Sequence, residues 1–528
     1  MPLRRLALLV LAPVVLHAQD ARLDRLKAEL AAAIDGRARL AQQMVDQVFS
    51  YSELGMQEVE TSRYLTGVLE RNGFTVERGI AGIPTAWVAR WGSGKPVIAL
   101  GSDIDGIPQS TQRPGTAARD PLVGGAPGHG EGHNSGVPLN IIAALAVKDV
   151  MTRERMPGTI VLWPGVAEEQ LASKAYLVRA GLFRDVDANL FAHVSDEFGI
   201  SWGDEPALTL ISAMFSFRGQ TAHSAGAPWR GRSALDAVIA MANAWEYHRE
   251  HMELAQRSHY VITDGGDQPN VVPATASIWY FFRERDPARV TRMFEDAKQV
   301  ARASAQATFT TLDTVQVIGS AWRPHFNKPI AVAMHANATK VGMPAWDEKD
   351  QAMARGVQRL MGVPDSGLRR VVPPLRSPEE AAAASSGTGS DDIGDVTWNV
   401  PSVTMYYPAN IPGTPGHNWA DGIAMATPIA HKGVVAGAKV QAMTLLDLMA
   451  RPALVADAKA YFTDVQTRTV KYYPLMSPAD QPATWLNADK MAKYREQMRP
   501  FYYDPAKYAT YLEQLGVTYP ALPRVVPD

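Results

Sequence analysis

The sequence contains no cysteine among its 528 residues, which excludes disulfide bonds, thiolate metal ligands and a lipid anchor on cysteine. An excess of one charge is also missing, since 52 Lys and Arg residues stand against 54 Asp and Glu residues. Without a basic excess, the composition gives no support to nucleic-acid binding. The lack of thiols fits an oxidising compartment, where a lone cysteine is prone to oxidation.

Long apolar runs are scarce as well. An apolar stretch over residues 6–16 follows Arg4 and Arg5, and Ala18 supplies a small residue before a cleavage site. A membrane-spanning helix needs roughly 20 apolar residues, about twice this length. The pattern therefore favours a signal peptide over residues 1–18, with the start of an amphipathic helix as the alternative. We expect an exported protein, periplasmic or secreted, without stable insertion in a membrane.

The order of patterns along the chain predicts its fold class. Buried-strand patterns at residues 97–101, 159–163 and 190–193 alternate with helical periodicity, which indicates an α/β layer with a mostly parallel sheet. From about residue 208 the order becomes strand, helix, strand, strand, helix, strand. The α/β pattern resumes near Asn327, so a compact α+β unit is expected to interrupt the larger one.

These patterns predict the division of the chain into domains. The larger α/β domain is expected over residues 25–212 and 325–450, with a mixed, mostly parallel sheet. The smaller α+β domain is expected over residues 213–324. Within the larger domain, residues 377–390 are rich in Ala, Ser and Gly and predict a loop. The tail, residues 451–528, carries many Tyr, Pro and Lys residues but no chemical motif, so its role stays open.

Residues able to bind metals stand where strands or loops are expected to end. Hydrolysis of an amide at neutral pH needs an activated water and a stabilised oxyanion. Two metal ions about 3.5–4 Å apart supply both, held by histidines and carboxylates. The candidates are Asp103 and Asp105, the stretch GHGEGHNSG with His129, Glu131 and His133, the pair Glu168 and Glu169, His193, and finally His417.

Each candidate also has an ordinary explanation. A lone histidine such as His193 or His417 is more often a satisfied polar residue than a ligand. An adjacent pair of glutamates usually lies on a solvated helix surface, and the two aspartates could cap a loop. The glycine-rich turn is different, because its glycines allow close backbone approach and His-x-Glu-x-His has no evident packing purpose. Taken together and in this order, the clusters favour a metal site.

These stretches resemble a known family of enzymes. The matching pieces are GSDIDGIPQ, GHGEGHNSG, AEEQ, FAHV, FRGQTAHSAGAPWRGRSALDA, GGDQPNVVP and PGTPGHNWAD, and the resemblance that they carry extends over about residues 25–450. The chain resembles the dinuclear metallopeptidases and amidohydrolases that include carboxypeptidase G, aminoacylases and the hydrolases of indole-acetyl amino acids. Within that family it is most similar to the branch of aminobenzoyl-glutamate utilisation protein B. The resemblance implies a metal-binding catalytic domain and a smaller dimerisation or lid domain.

The resemblance also implies a role for each matching residue. Glu168 falls on the position of the general base, and Asp105 on that of the carboxylate that orients the site. His223 lies in the smaller domain, from which the family reaches the active site of the partner subunit in a homodimer. Asn270 and Arg283 lie where the family binds the carboxylate of the substrate. The positions of the metal ligands are those of Glu131, His133, Glu169, His193 and His417.

Two positions depart from the family pattern. This branch usually has cysteine where Glu131 stands, but a glutamate can bridge two hard cations through its two oxygens. We therefore expect two divalent metal ions, with zinc first and manganese or cobalt as alternatives, because the soft ligand is lost. Asp103 replaces a histidine of the peptidase branches, and we leave it out of the ligand set. We take His129 as a neighbour of the site rather than a ligand.

The resemblance implies a metal-dependent hydrolase of non-ester carbon–nitrogen bonds. The leading hypothesis is cleavage of an N-acyl or N-aroyl amino acid, similar to aminobenzoyl-glutamate, or of a related small amide. A metallo-dipeptidase or carboxypeptidase acting on small peptides is the first alternative. A non-catalytic ligand-binding relative is the alternative of another class. It would need a damaged base or ligand set, whereas Glu168 and Glu169 are both present.

Overall fold

The computed structural model describes residues 6–384 and 389–522. Its strands are β1 (Thr75–Arg78), β2 (Trp87–Ser93), β3 (Val97–Asp103), β4 (Gly158–Gly165), β5 (Ala188–Ser195), β6 (Gly203–Asp204), β7 (Thr209–Arg218), β8 (Arg257–Asp264), β9 (Thr275–Glu284), β10 (Thr311–Ala321), β11 (His325–Phe326) and β12 (Ser402–Pro408).

The helices are α1 (Leu6–Asp35), α2 (Ala38–Tyr51), α3 (Val59–Arg71), α4 (Gly136–Glu154), α5 (Lys174–Ala180), α6 (Ala234–Arg249), α7 (Pro287–Ala307), α8 (Lys328–Val341), α9 (Glu348–Leu360), α10 (Pro378–Ala384), α11 (Ile393–Thr397), α12 (Pro428–Ala450), α13 (Pro452–Tyr461), α14 (Ala488–Met498) and α15 (Tyr511–Gln514).

The larger sheet has six strands in the order β1-β2-β4-β3-β5-β12. The pairs β3–β4, β3–β5 and β5–β12 are parallel, whereas β1–β2 and β2–β4 are antiparallel. Strands β3 and β4 are buried along their whole length, as expected of a sheet that helices cover on both faces. The mixed, mostly parallel sheet confirms the predicted α/β fold class.

The smaller sheet is antiparallel, with the order β10-β7-β9-β8. The chain passes through β7, α6, β8, β9, α7 and β10, which is the predicted order of elements. Burial alternates along β9, and its inward face packs aromatic rings against the helices, with Trp245 and Phe282 5.2 Å apart. Strands β10 and β8 form the two edges of this sheet. The predicted domain division at residue 213 falls inside β7, which begins at Thr209.

The loop predicted over residues 377–390 is wrong in part, because α10 occupies its first half. Ser377 and Glu380 cap this helix reciprocally: the Ser377 Oγ accepts from the Glu380 N–H at 3.3 Å, and the Glu380 carboxylate accepts from the Ser377 N–H at 2.8 Å. Pro378 takes the first helical position, and a run of alanines follows. The prediction gave weight to glycine and serine further on and missed this capping pair.

Helix α12 is long and apolar enough to cross a membrane, judged by length and composition alone. However, 83% of its most apolar window is buried inside the protein. It packs against α4, α8 and β12, so it is the central helix of the larger unit. The signal peptide expected over residues 1–18 stays a prediction, since residues 1–5 lie outside the described part of the chain.

The C-terminal segment, residues 451–522, lies against several distant parts of the chain. Arg495 pairs with the buried carboxylate of Glu53 at 3.0 Å. Tyr472 donates its hydroxyl hydrogen to Asp395 at 2.7 Å, which ties the segment to the helix α11. The segment is therefore integrated into the larger unit through buried polar contacts.

Candidate metal centre

The site lies at the carboxyl edge of the parallel strands, where ligands bind in open α/β sheets. Asp105 follows β3, and His193 lies on β5. Glu168 and Glu169 lie in a 3-10 turn after β4, and left-handed backbone at Ala167 (φ 51°) and Leu171 (φ 53°) flanks this turn. Such strain at non-glycine residues is typical of functional sites.

Glu131 and His133 come from the loop that leads into α4. Gly132 between them has φ 118°, and a Cβ there would lie 2.4 Å from the sulfur of Met425. Only glycine fits this position, which explains why the two ligand candidates can alternate with glycine in the sequence. His417 comes from the loop after β12 and also has a left-handed backbone, with φ 44°.

Glu131 lies at the centre of the cluster. Its Oε2 lies 3.1 Å from His417 Nε2 and 3.6 Å from His133 Nε2. Its Oε1 lies 3.6 Å from His193 Nε2. The two oxygens of one carboxylate thus face three different imidazoles, which is the geometry expected of a bridging group.

Glu169 closes the cluster on the opposite side. Its Oε2 lies 3.3 Å from His417 Nε2, and its Oε1 lies 3.9 Å from His133 Nδ1. Among the described residues, this buried Oε1 has no hydrogen-bond partner. The backbone N–H of Glu169 donates to Asp105 Oδ2 at 3.1 Å. All five predicted ligand residues therefore lie in one cluster.

The hydrogen bonds of the buried His133 and the partly buried His193 indicate what the cluster can hold. His193 Nδ1 lies 3.0 Å from the carbonyl oxygen of Val194, and His133 Nδ1 lies 3.3 Å from Asp105 Oδ1. Both acceptors favour a proton on Nδ1, so each Nε2 presents a lone pair. These two Nε2 atoms lie 3.4 Å apart, beside two carboxylates. Such an arrangement is repulsive unless a cation or a proton lies between them, so the donor set fits metal ions.

Beside this cluster lies a buried lysine that the sequence did not single out. Lys174 Nζ lies 2.7 Å from Asp103 and 3.4 Å from Asp391, and it also forms an ion pair with Asp392. Burial lowers the pKa of Lys174, but the surrounding carboxylates outweigh that effect and raise it well above its usual range. Asp103 is therefore the partner of an ammonium group, although one of its oxygens also lies within 4.8 Å of ligand atoms of His133 and His193, and its exclusion from the ligands stays a prediction.

Glu168 lies between the two clusters. Its carboxylate is within 4.8 Å of the ligand atoms of Glu131, His133 and Glu169, and also of those of Asp391 and Asp392. Burial raises the pKa of Glu168 well above its usual range, and the charge of Asp391 acts in the same direction. The adjacent Asp391 and Asp392 were the one signal in the sequence that could have revealed the cluster around Lys174. They follow a segment predicted as loop.

A cavity of about 470 Å³ opens onto both clusters. Arg283 lines it, donates to Ser390 Oγ at 2.9 Å and stacks on Phe281 at 5.4 Å. Its buried Nε has no partner among the described residues. Burial lowers the pKa of Arg283, because removal from water disfavours the charged guanidinium. Other lining residues are Glu168, Glu169, Leu171, Glu205, Phe326 and Tyr406.

Two predicted residues, His223 and Asn270, lie elsewhere. Both are exposed on neighbouring loops of the smaller unit, where the Ser224 N–H donates to the carbonyl of Asn270 at 3.1 Å. Neither residue lines the cavity. His129 is buried beneath the site, with its Nε2 3.2 Å from the carbonyl oxygen of Val48.

Similar proteins were found by sequence and by structure. Residues 209–308 match the peptidase dimerisation domain of the M20 family. The chain is 32% identical to a p-aminobenzoyl-glutamate hydrolase chain of Escherichia coli over 463 residues, which are 84% of this chain and 95% of that protein. It is 26% identical to the Xaa-Arg dipeptidase of Mus musculus, over 84% of this chain and 93% of that one.

A solved structure shares the fold. The aminobenzoyl-glutamate utilization protein from Klebsiella pneumoniae superposes with a TM-score of 0.55 at 17% identity, over 80% of this chain and 98% of that one. At this identity the likeness concerns the fold alone. The relatives detected by sequence are hydrolases and peptidases.

Proposed function

This chain belongs to the M20 family of peptidases, whose members hydrolyse amide or peptide bonds, and we propose that it is a dinuclear amidohydrolase. The proposed substrate is an N-acyl or N-aroyl amino acid. The observation that carries the proposal is the close approach of His133 Nε2 and His193 Nε2, 3.4 Å apart, beside the carboxylates of Glu131 and Glu169. The proposed ligands of the two metal ions are Glu131, His133, Glu169, His193 and His417.

Bound divalent cations would polarise the scissile carbonyl and make water nucleophilic at neutral pH. Glu168 would accept the proton of the attacking water and pass it to the nitrogen of the leaving amine. Burial raises the pKa of Glu168, and a more basic carboxylate is a better acceptor of that proton. Asp105 would orient the site, since it contacts both His133 and the backbone of Glu169.

Arg283 supports a substrate that carries a carboxylate. It is the cationic side chain that lines the cavity in the described part of the chain, and its Nε points to no other partner there. A guanidinium in this setting binds a carboxylate through two parallel hydrogen bonds. The free carboxylate of an amino-acid product would fit this position at Arg283, and so would that of a peptide. A dipeptidase is therefore the second candidate, and the relative named Xaa-Arg dipeptidase favours it.

Zinc is the proposed metal, with manganese or cobalt as alternatives. Nitrogen and carboxylate ligands accommodate all three ions, and no thiolate selects among them. The test is hydrolysis of aminobenzoyl-glutamate, acyl-amino acids and dipeptides by the purified protein, with and without a chelator, followed by restoration with each metal. Full activity of the metal-free protein, or none with any metal, would refute the proposal. The latter would favour a non-catalytic binding protein.

We also propose a homodimer through the smaller unit. The edge strand β8 exposes Val261 and Ile262, at 58% and 47% of their surface. An apolar edge strand with free backbone groups is a ready template for pairing with a second chain. The double variant Val261→Lys and Ile262→Lys should be monomeric by light scattering. The exposed apolar residue Val371 lies outside this strand and supplies the control, Val371→Lys, which should remain dimeric.

In that dimer His223 is proposed to complete the partner's site by donating a hydrogen bond to the developing oxyanion. Its exposed position outside the cavity supports action across subunits. His223→Ala should lower the rate and keep the metal content. Mixing it with Glu168→Gln should restore activity, because some hybrid dimers would contain one complete site. If activity is not restored after subunit exchange has been verified, this role of His223 is contradicted.

A further inference from the structure

The cavity contains a carboxylate that the proposed mechanism does not use. Glu205 lies between β6 and β7 and lines the same cavity as Glu168 and Arg283. Its Oε1 is buried, and no hydrogen-bond donor within the described residues reaches it. A buried polar atom without a partner costs free energy, so it is retained where a ligand supplies the missing partner.

The cations around Glu205 are already engaged. Arg285 donates to Asp204 at 2.9 Å, and Arg376 donates to Glu197 at 2.6 Å. Burial raises the pKa of Glu205, and neither a hydrogen bond from the Ser201 side chain nor the charges of the two arginines cancel that effect. The carboxylate therefore faces the cavity without a counter-ion in contact.

The other free acidic group of the cavity differs in this respect. Asp391 also lines the cavity, but it lies 3.4 Å from the ammonium group of Lys174. Its charge is thus compensated by the buried cluster beside the metal centre. Apart from the proposed metal ligand Glu169, Glu205 is the lining carboxylate with a buried oxygen that no donor reaches within the described residues.

Resting on the proposed function, we propose that Glu205 determines specificity by accepting a hydrogen bond from an amino group on the acyl part of the substrate. Arg283 would bind the carboxylate of the amino-acid part. Arg283 and Glu205 would thus bind opposite ends of one substrate molecule. The cavity lining also includes the aromatic rings of Phe281 and Phe326, and a flat aromatic acyl group suits such walls. The substrate class is then an amino-substituted acyl or aroyl amino acid.

The experiment compares two substrates that differ only in the amine, p-aminobenzoyl-glutamate and benzoyl-glutamate. The wild type should show a kcat/KM about 10- to 100-fold higher for the amine-bearing amide. Glu205→Met removes the acceptor and should bring this ratio close to one. Glu205→Gln keeps a neutral acceptor and should give an intermediate ratio. The surface variant Glu250→Gln should leave the ratio unchanged.

The outcomes separate this inference from the proposed function. A wild-type ratio near one, or an unchanged ratio in a folded Glu205→Met variant, overturns the role of Glu205 while hydrolysis itself stands. If neither amide is cleaved, the acyl-amino acids and dipeptides decide the proposed function, and calorimetric titration of both amides decides the binding role of Glu205. Tighter binding of the amine-bearing amide to the wild type but not to Glu205→Met supports it, and equal affinities overturn it.

Discussion

Glu168 and Glu169 are adjacent in sequence, yet the structure predicts opposite consequences for the same substitution. The Glu169 side chain contacts His417 and the cluster of proposed ligands, whereas Glu168 lies at the junction with the cavity. Glu168→Gln keeps the size of a side chain that is 7% exposed, so the fold and the metal content should persist. Its amide cannot accept a proton from water, and turnover should collapse. Glu169→Gln should instead lower the metal content.

The expected magnitude follows from the role of a general base. Such a group is worth about 10²–10⁴-fold in rate, which corresponds to about 2.7–5.5 kcal/mol of activation free energy. The assay measures kcat with saturating metal and counts bound metal by mass spectrometry, for the wild type and both variants. Circular dichroism establishes that each variant is folded.

Two results would refute this reasoning. A near-normal rate for Glu168→Gln would exclude it as the base. Equal loss of metal in both variants would place Glu168 among the ligands, and the division of roles between the two carboxylates would be wrong.

Three further predictions concern stability and processing. Lys174→Met leaves buried carboxylates without a counter-ion and should lower the free energy of unfolding, measured with urea, by about 3–5 kcal/mol. The same change at the exposed Lys95 should lower it by less than about 1 kcal/mol. Equal losses would contradict the buried network. Burial raises the pKa of Asp395 to about 7, so folding takes up a proton there, and this stability is lost as the pH rises through that value. Asp395→Asn should therefore show a shallower fall of Tm from pH 5 to 8 than the wild type, and an equal slope would rule the titration out. Expression in a bacterium with an export pathway should yield a mature chain that begins at Gln19, and an intact N-terminus in an active, exported protein would rule out the cleavage.

The proposed metal ligands could be selected from the sequence because their chemistry is concentrated in short stretches. The turn with Glu131 and His133 needs glycines for close approach, and Gly132 indeed contacts Met425 too closely for any side chain. The fold followed from the alternation of buried strands and helices, since strand burial is a local property of the sequence. The resemblance to a family supplied the roles of individual residues.

The second cluster could not be predicted, because its members are far apart in the chain. Lys174 and Asp392 are 218 residues apart, and no periodicity or spacing connects them. A buried lysine looks like any surface lysine in a sequence, and only its tertiary partners distinguish it. The same reason applies to Glu205, whose importance lies in the absence of a partner at one oxygen.

The tail that had no predicted role contributes to the geometry of the site. Helix α11 directly follows the two aspartates that pair with the buried lysine. Tyr472 donates to Asp395 on this helix at 2.7 Å, and Gln466 donates to the carbonyl of Thr397 at 2.7 Å. A buried ion cluster stabilises a protein only when its geometry is well fixed. The segment after residue 450 therefore acts as part of the scaffold that holds the carboxylates beside Glu168.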